Sequence, residues 1–271
     1  MAKQLRDINP IRPLLAHRPL AVFSDIDGTL APIVPDPQDA RVTDRAREAL
    51  RDLMSLGVGV GLITGRDLAK AREMTGLAGA WYAANHGLTL SAGGVDETPE
   101  AVRDFLPRVQ AVIRETAGVE SAGAFVEDKG PIVAFHYRRA ASPEEARAAI
   151  DAALSASAAA AAFRVHEGRM VVELRPPLDV DKGTALAELL RRMGAGAVIC
   201  IGDDITDVDM FRRVRELREG GTPGATVAVE SPEATDAVLD GADYSVDGVA
   251  GVEWLLEGIA RALRETASSG R

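Results

Sequence analysis

Residues 20–29 read LAVFSDIDGT, in which an unbroken apolar run ends in two closely spaced acids, Asp25 and Asp27. A short apolar run of this kind is typical of a strand buried on both faces, as the strands of a parallel sheet are. In an open α/β sheet, ligands bind at the carboxyl ends of the strands. The stretch therefore predicts a central strand that delivers two carboxylates to a ligand site.

Three more apolar runs have the same character, at 58–63, 198–201 and 226–229. Helical patterns lie between most of them: Thr43 can cap one helix, and another is predicted over 181–193, with Gly194 placed to end it. This alternation predicts an α/β fold with a doubly wound, mainly parallel sheet of Rossmann-like type.

The middle of the chain has a different pattern, in which a helix followed by two strands occurs twice. The segments are 99–116, 124–129, 132–138, 143–160, 162–166 and 169–175. We interpret them as a smaller α+β cap domain, 98–177, inserted between the two parts of the core domain, 1–97 and 178–271. Pro176 and Pro177 mark the return to the core.

Composition limits the class of partner. The formal net charge is −10, which argues against nucleic acid because phosphate-backbone binding needs a clustered basic surface. No segment approaches the roughly 20 apolar residues of a membrane span. A single cysteine, Cys200, excludes an intramolecular disulfide. We expect a cytoplasmic monomer that binds a small molecule.

The two acids of the first strand suit phosphoryl chemistry. Asp25 and Asp27 could hold Mg²⁺ between them, with one Asp25 oxygen attacking phosphorus and Asp27 handling the leaving-group proton. A turn that merely closes the strand would also use Asp-Gly. At the end of the second strand, Thr64 and Gly65 could donate hydrogen bonds to phosphate, although they could equally cap a helix.

Two later segments add a cation and more acids. Lys182 stands at a predicted helix start, where the helix dipole disfavours it, so an anion there would explain it; a solvated lysine remains the alternative. Residues 202–207 read GDDITD. One of these acids could complete a Mg²⁺ site, with the other acids fixing its ligands in place. Alternatively, Asp204 could cap the next helix. Three acids so close repel one another and need a cation.

These motifs, in this order, resemble those of the haloacid-dehalogenase phosphatases. Within that superfamily the chain is similar to the trehalose-6-phosphate phosphatases over about 21–256. The supporting segments are Asn85-His86-Gly87, Glu127-Asp128-Lys129-Gly130, His136-Tyr137-Arg138, Gly168 to Pro176 and Asp203 to Phe211.

The resemblance implies a Mg²⁺-dependent hydrolysis of trehalose 6-phosphate through an aspartyl-phosphate. It implies that Asp25 is the nucleophile, Asp27 the acid/base, and Thr64 and Lys182 the phosphate ligands. Mg²⁺ would be held by Asp25, the Asp27 carbonyl and Asp203, with Asp204 and Asp207 orienting that set. The expected substrate-binding residues are Gly65, Arg66, Asn85, His86, Glu127, Lys129 and Glu173. Thr64 stands where many relatives have serine, which keeps the hydroxyl.

Strand parity in the insert predicts a small sheet with one apolar and one charged face. Phe125, Glu127 and Lys129 share one parity, whereas Arg169, Val171, Glu173 and Arg175 oppose Met170, Val172 and Leu174. The charged face would suit a polyhydroxylated sugar, and solvation alone is the alternative.

Other functions stay open on the sequence. Another sugar phosphate, such as a glycosyl-glycerate phosphate or sucrose phosphate, could be the substrate, and a phosphomutase could use the same nucleophile. A non-catalytic sugar-phosphate sensor is disfavoured because it would need neither Asp25 nor Asp27.

Overall fold

The computed structural model describes residues 1–34, 38–168, 170–231 and 234–269. The chain divides into two compact units. The core domain comprises Met1–Glu97 and Val180–Arg271, and the cap domain is Thr98–Asp179. The sequence places the second boundary at 177/178, and the structure places it at 179/180.

The strands, numbered along the chain, include members of both domains. They are β1 (Lys3–Gln4), β2 (Leu20–Ser24), β3 (Gly59–Ile63), β4 (Trp81–Ala84), β5 (Thr89–Ala92), β6 (Val95–Glu97), β7 (Phe125–Asp128), β8 (Val133–His136), β9 (Arg164–Gly168), β10 (Val171–Arg175), β11 (Ala197–Gly202), β12 (Gly224–Glu230) and β13 (Tyr244–Asp247).

The helices alternate with the core strands and flank the cap strands. They are α1 (Asp44–Ser55), α2 (Leu68–Thr75), α3 (Glu100–Arg103), α4 (Leu106–Glu115), α5 (Pro143–Ala156), α6 (Lys182–Met193), α7 (Val208–Glu219), α8 (Asp236–Gly241) and α9 (Gly248–Ser269). Short 3-10 turns include Asn85–Gly87 and Ile205–Asp207. Among the described residues, no helix is both long and apolar enough to cross a bilayer.

The core sheet has the strand order β1-β13-β12-β11-β2-β3-β4-β5-β6. Pairs are parallel from β1 to β4, and β5 and β6 continue the sheet antiparallel. The predicted fold class is therefore confirmed. Strand β2 lies between β11 and β3, with Ser24 level with Ile201 and Leu62. The segments that follow these three strands consequently leave the sheet at the same edge.

Helices cover both faces of this sheet because its central strands, such as β2 and β11, are buried and apolar on both sides. Val22 of β2 packs in the cluster that contains Leu53 of α1 and Leu256 of α9. Phe23, its neighbour, packs in the opposite cluster with Leu189 of α6 and Phe211 of α7. Two buried layers of this kind make the sheet doubly wound.

Caps set the ends of the helices that position the site. The Thr43 side chain accepts the Ala46 N–H at 3.2 Å, as predicted for the start of α1. Asp181 and Thr184 form a capping box at α6, and Gly194 ends it at φ 62°. Because Asp181 is the cap, Lys182 is the first residue of α6.

The cap sheet is antiparallel, with the order β7-β8-β10-β9. Val133, Phe135, Val172 and Leu174 belong to the buried cap cluster, which also contains Val109 of α4 and Ile150 of α5. The sheet thus has the apolar face that strand parity predicts. Arg169, which the sequence assigns to the opposite face, lies outside the described residues, and Met170 lies in a turn at φ 61°.

Several predicted bounds are wrong for identifiable local reasons. The single helix predicted over 99–116 is two helices, α3 and α4, since Pro107 suits only the first turn of a helix. Helix α5 stops at Ala156 because Ser157 is extended, and its hydroxyl donates to Glu115 at 2.6 Å. The strand predicted over 162–166 is β9, Arg164–Gly168.

Candidate active site

Asp25 directly follows β2, and its side chain is almost completely buried. Its backbone N–H donates to the Ile201 carbonyl of β11 at 3.0 Å, which extends the parallel pairing past the strand end. Its Oδ1 accepts a hydrogen bond from Lys182 Nζ at 2.9 Å. The carboxylate is therefore held in place by the sheet on one side and by a cation on the other.

Lys182 is buried and bridges two acids. Besides Asp25, its Nζ donates to Asp207 Oδ1 at 2.7 Å. Burial alone would lower the pKa of Lys182, but the carboxylates of Asp207 and Asp25 outweigh it and raise that pKa. The side chain consequently stays an ammonium ion, as the sequence predicts for a lysine that meets an anion.

The acids after β11 occupy different positions. Asp207 is fully buried, and its Oδ2 accepts the N–H groups of Asp203 at 2.9 Å and Asp204 at 3.0 Å. Asp203 Oδ1 accepts from Thr29 Oγ1 at 2.8 Å. Asp204 is exposed and caps the following turn by accepting the Ile205 N–H at 2.6 Å. Asp204 is thus placed as a cap, the alternative that the sequence left open.

Asp25, Asp203 and Asp207 form an acidic trio, in which one carboxylate oxygen of each lies within 4.8 Å of the others. Burial raises the pKa of Asp25, and the nearby carboxylates of Asp207, Asp203 and Asp27 add to the rise against the opposing effect of Lys182. Burial and Asp207 raise the pKa of Asp203 to about 7. Three neighbouring carboxylates with one ammonium among their partners fit a divalent cation, which prefers oxygen ligands.

Asp27 is bound by Arg66 through both carboxylate oxygens. Arg66 Nε donates to Oδ2 at 2.7 Å and Nη2 donates to Oδ1 at 2.6 Å. The sequence assigns Arg66 to the substrate, whereas the structure places it on the predicted acid/base. The Asp27 side chain does not belong to the acidic trio.

Thr64 is buried and directly follows β3, in which Leu62 is level with Ser24 at the end of β2. Its Oγ1 accepts the Arg66 N–H at 3.2 Å, and the turn is supported by the backbone amides of Asn85 and His86, which donate to the Arg66 and Thr64 carbonyls at 2.8 and 2.9 Å. Asn85 and His86 have positive φ angles of 52° and 58°. Their backbone therefore shapes the turn that carries Thr64.

Two glycines make close approaches possible in this site. A Cβ on Gly28, which has φ 81°, would lie 2.0 Å from Asp203 Oδ2, so any other residue would displace that carboxylate. A Cβ on Gly65 would lie 2.6 Å from His86 Nε2. Gly28 and Thr29 received no separate role from the sequence, although both belong to the DIDGT stretch that singled out Asp25.

The cap domain has its own cluster of charged residues, here called the cap polar cluster: Glu127, Lys129, His136, Glu173 and Arg175. Lys129 Nζ donates to Glu173 Oε1 at 2.9 Å, and Arg175 Nε and Nη2 donate to Glu173 Oε2 at 2.9 and 2.6 Å. His136 Nε2 and Glu127 Oε2 are 2.8 Å apart. Glu127 and Glu173 lie on either side of Ala134 in register, so both belong to the same face of the cap sheet.

Sequence reasoning found three members of this cluster and gave no role to His136 or Arg175. Arg175 was placed on the charged face by parity, so that signal was available. His136 ends β8, and in the sequence it stands out only as part of the segment His136-Tyr137-Arg138, which resembles the family. The side chains of Lys129 and Glu173 are 11% and 10% exposed, which is low for charged groups and distinguishes them from a solvated face.

A family model described as Trehalose-phosphatase matches residues 23–243. This chain belongs to that family. Curated relatives include the trehalose-phosphate phosphatase of Mycobacterium leprae (strain TN), 35% identical over 93% of this chain and 60% of the relative. That of Mycolicibacterium paratuberculosis (strain ATCC BAA-968 / K-10) is 42% identical over 77% of this chain and 55% of the relative. The chain thus spans somewhat over half the length of these family members.

Solved structures of the family share the fold. One is the Aspergillus fumigatus trehalose-6-phosphate phosphatase in crystal form 3, which is 28% identical with a TM-score of 0.63. That match covers 97% of this chain and 100% of the other chain. The C. albicans trehalose-6-phosphate phosphatase C-terminal domain has a TM-score of 0.73 at 24% identity, over 96% of this chain and 98% of its own. These neighbours confirm the haloacid-dehalogenase type of fold that the sequence predicts.

Proposed function

We propose that this chain is a phosphatase that hydrolyses trehalose 6-phosphate to trehalose and phosphate through an aspartyl-phosphate on Asp25. One observation carries the proposal: the buried Asp25 carboxylate is held by Lys182 beside Asp203, at the edge of the sheet where Thr64 also lies. Membership of the trehalose-phosphatase family supports the choice of substrate.

The acidic trio is the site that we propose for Mg²⁺. Asp25, Asp203 and the Asp27 carbonyl would hold the ion, while Asp207 fixes the Asp203 backbone through its amide contact. When bound, Mg²⁺ would supply positive charge that favours ionised carboxylates and offsets the phosphate charge. This role fits the raised pKa values of Asp25 and Asp203.

The chemical steps use residues of the core domain. Asp25 attacks phosphorus while Asp27 gives a proton to the leaving sugar oxygen. Asp27 then takes a proton from the water that hydrolyses the aspartyl-phosphate. Lys182 and Thr64 stabilise the negative charge on the phosphoryl oxygens, because a buried ammonium and a fixed hydroxyl act strongly where water is excluded.

The cap polar cluster is the part that we propose for the sugar. Glu127, Lys129 and Glu173 offer acceptors and donors to hydroxyl groups. Lys129 and Glu173 hold each other in place, and Glu127 is held by His136. Ion pairs as sheltered as that of Lys129 and Glu173 do not stabilise a fold efficiently, so recognition is a better reason for having them than stability. Neighbouring Phe125 adds an exposed aromatic surface.

A panel of phosphate monoesters tests the proposal. Phosphate release would be measured with trehalose 6-phosphate, sucrose phosphate, a glycosyl-glycerate phosphate, glucose 6-phosphate and p-nitrophenyl phosphate, in Mg²⁺ and in excess chelator. We expect the highest kcat/KM with trehalose 6-phosphate. In excess chelator we expect no phosphate release from this substrate. A clear preference for another sugar phosphate would overturn the substrate, and full activity in chelator would overturn the metal site.

Covalent labelling tests the intermediate separately. Acid quenching during turnover of ³²P-labelled substrate should leave label on the wild-type protein, and Asp25→Asn should carry none. Phosphate appearing on a sugar instead of in water would indicate a phosphomutase.

A further inference from the structure

Both oxygens of the proposed acid/base are occupied by one side chain. The two Arg66 contacts with Asp27, at 2.7 and 2.6 Å, form a two-point salt bridge. Two parallel contacts of this kind fix both the position and the orientation of a carboxylate. The Asp27 carboxylate is therefore held in one orientation by a single side chain.

Arg66 is itself fixed by the turn that carries Thr64. Its N–H donates to Thr64 Oγ1 at 3.2 Å, and its carbonyl accepts from the Asn85 N–H at 2.8 Å. Its side chain is 16% exposed and that of Asp27 is 30% exposed. A salt bridge this sheltered, between the ends of two adjacent core strands, gives Asp27 a defined position.

We propose that Arg66 is a positioning residue, which fixes the Asp27 carboxylate where it can exchange a proton with the reacting oxygen atoms. This inference rests on the proposed function. In the first step, the Asp25–phosphorus bond forms, the phosphorus–sugar oxygen bond breaks, and the proton passes from Asp27 to that oxygen. In the second step, the water oxygen bonds to phosphorus, the Asp25 bond breaks, and Asp27 takes the proton of the water. Arg66 keeps the Asp27 carboxylate in place for both steps.

The alternative role for Arg66 is direct contact with the substrate, as the sequence predicts. The relevant part of the substrate is then its phosphate, which both test substrates share. The two roles differ in how they depend on the leaving group. A sugar oxygen must be protonated as it leaves, whereas p-nitrophenolate leaves readily without a proton. A residue that acts through Asp27 should therefore matter mainly for the sugar substrate, and a phosphate ligand should matter for both.

The experiment compares kcat/KM for trehalose 6-phosphate and p-nitrophenyl phosphate in wild type, Arg66→Met, Asp27→Asn and the double variant. We expect Arg66→Met to lower kcat/KM for the sugar phosphate by about 10- to 100-fold, as misplacement of a catalytic group does. The loss on the aryl phosphate should be at least tenfold smaller. The double variant should be no worse than Asp27→Asn alone on the sugar phosphate, because both changes remove one function.

Equal losses on the two substrates, or losses that multiply in the double variant, would overturn the proposal in favour of phosphate binding by Arg66. No loss on either substrate would overturn it in favour of a purely structural bridge. If Arg66→Met does not fold, as thermal melting will show, Arg66→Lys replaces it. Lysine keeps the charge but not the two-point geometry, so the same selective loss is expected at smaller size.

Arg72→Met is the matched control. Arg72 also binds one carboxylate at two points, with Nη1 and Nη2 donating to Asp96 at 2.8 and 2.5 Å, but it contacts none of the proposed site residues in those bonds. It should leave both kcat/KM values within about twofold of wild type.

Failure of the substrate assignment can be told apart from failure of this inference. A wild type that hydrolyses the aryl phosphate but not trehalose 6-phosphate contradicts only the assignment. The comparison then uses whichever sugar phosphate of the panel is hydrolysed, since its leaving oxygen has the same need for a proton.

Discussion

The acidic trio of the core and the cap polar cluster are both groups of charged side chains with low exposure, but their charges balance differently. The trio has three carboxylates and one ammonium ion, that of Lys182, which contacts Asp25 and Asp207. In the cap polar cluster, each carboxylate has its own cationic or histidine partner. The first group carries an excess of negative charge, whereas acids and cations are matched in the second.

The acid strengths of the two groups follow from this difference. Burial and neighbouring acids raise the pKa values of Asp25 and Asp203. By contrast, the hydrogen bond from His136 lowers the pKa of Glu127. A site with surplus negative charge suits metal-assisted chemistry, whereas a balanced group suits recognition of a neutral sugar. Four predictions test that division, from the largest effect to the smallest.

Replacing the nucleophile should have the largest effect. Asp25→Asn should lower turnover by at least about 10³-fold, since an amide is a poor nucleophile. It should not lower the melting temperature of the metal-free protein, because the amide removes a carboxylate that burial makes hard to ionise. Asp52→Asn, at an exposed position, is the control. Turnover above about 1% of wild type would rule out Asp25 as nucleophile.

Removing one charge of the cap polar cluster should affect the sugar phosphate much more than the aryl phosphate. Glu173→Gln should lower kcat/KM for trehalose 6-phosphate by about 10- to 100-fold. Lys129 and Arg175 lose the carboxylate that fixes them, so the cluster is less well arranged for sugar hydroxyls. Its effect on p-nitrophenyl phosphate should stay within about threefold. Glu167→Gln, on exposed Glu167 of β9, is the matched control. Similar losses on both substrates would mean that Glu173 supports folding or general catalysis.

Removing one contact of the trio should weaken metal binding and spare the sugar site. Thr29→Val deletes the hydroxyl that donates to Asp203 Oδ1. The Mg²⁺ concentration for half-maximal activity should rise by about tenfold, the low end for groups that orient metal ligands. Thr29→Ser keeps the hydroxyl and should behave like wild type. An unchanged Mg²⁺ requirement in Thr29→Val would place the ion away from Asp203.

The smallest expected effect is on stability as a function of pH. With a folded-state pKa of about 7, above its ordinary value of 3.8, Asp203 binds its proton more tightly in the folded state. Its contribution to the free energy of unfolding of the metal-free protein is therefore present at low pH and is lost as pH rises to about 7. Because Mg²⁺ must replace that proton, the rise in melting temperature on adding Mg²⁺ should be larger at pH 8 than at pH 5.5.

Melting curves in chelator and in excess Mg²⁺ would measure this effect. Asp203→Asn should make the Mg²⁺-dependent rise small at both pH values. A rise in wild type that does not change with pH would contradict the assignment of Asp203 as a ligand.

Much of the fold could be predicted because local patterns report burial. The run at Leu20–Ser24, the cap at Thr43 and the stop at Gly194 all match the structure. Short or edge strands such as β1 and β6 carry too few residues for a pattern and were not predicted. In the cap domain, the parity of β7 and β10 identifies the charged face. The helix ends there are set by single residues, Pro107 and Ser157, which the apolar pattern does not reveal.

The sequence by itself determined which residue types stand at the strand ends: Asp25, Thr64, Lys182 and the acids of 202–207. It could do so because strand ends and helix starts are local features. Only the tertiary structure decided their partners. Asp25 meets Lys182 and Asp207, and Asp27 meets Arg66, because β2 lies between β11 and β3 in the sheet. Strand order is set by the crossover connections and packing of the whole domain, so no local pattern could reveal these pairs.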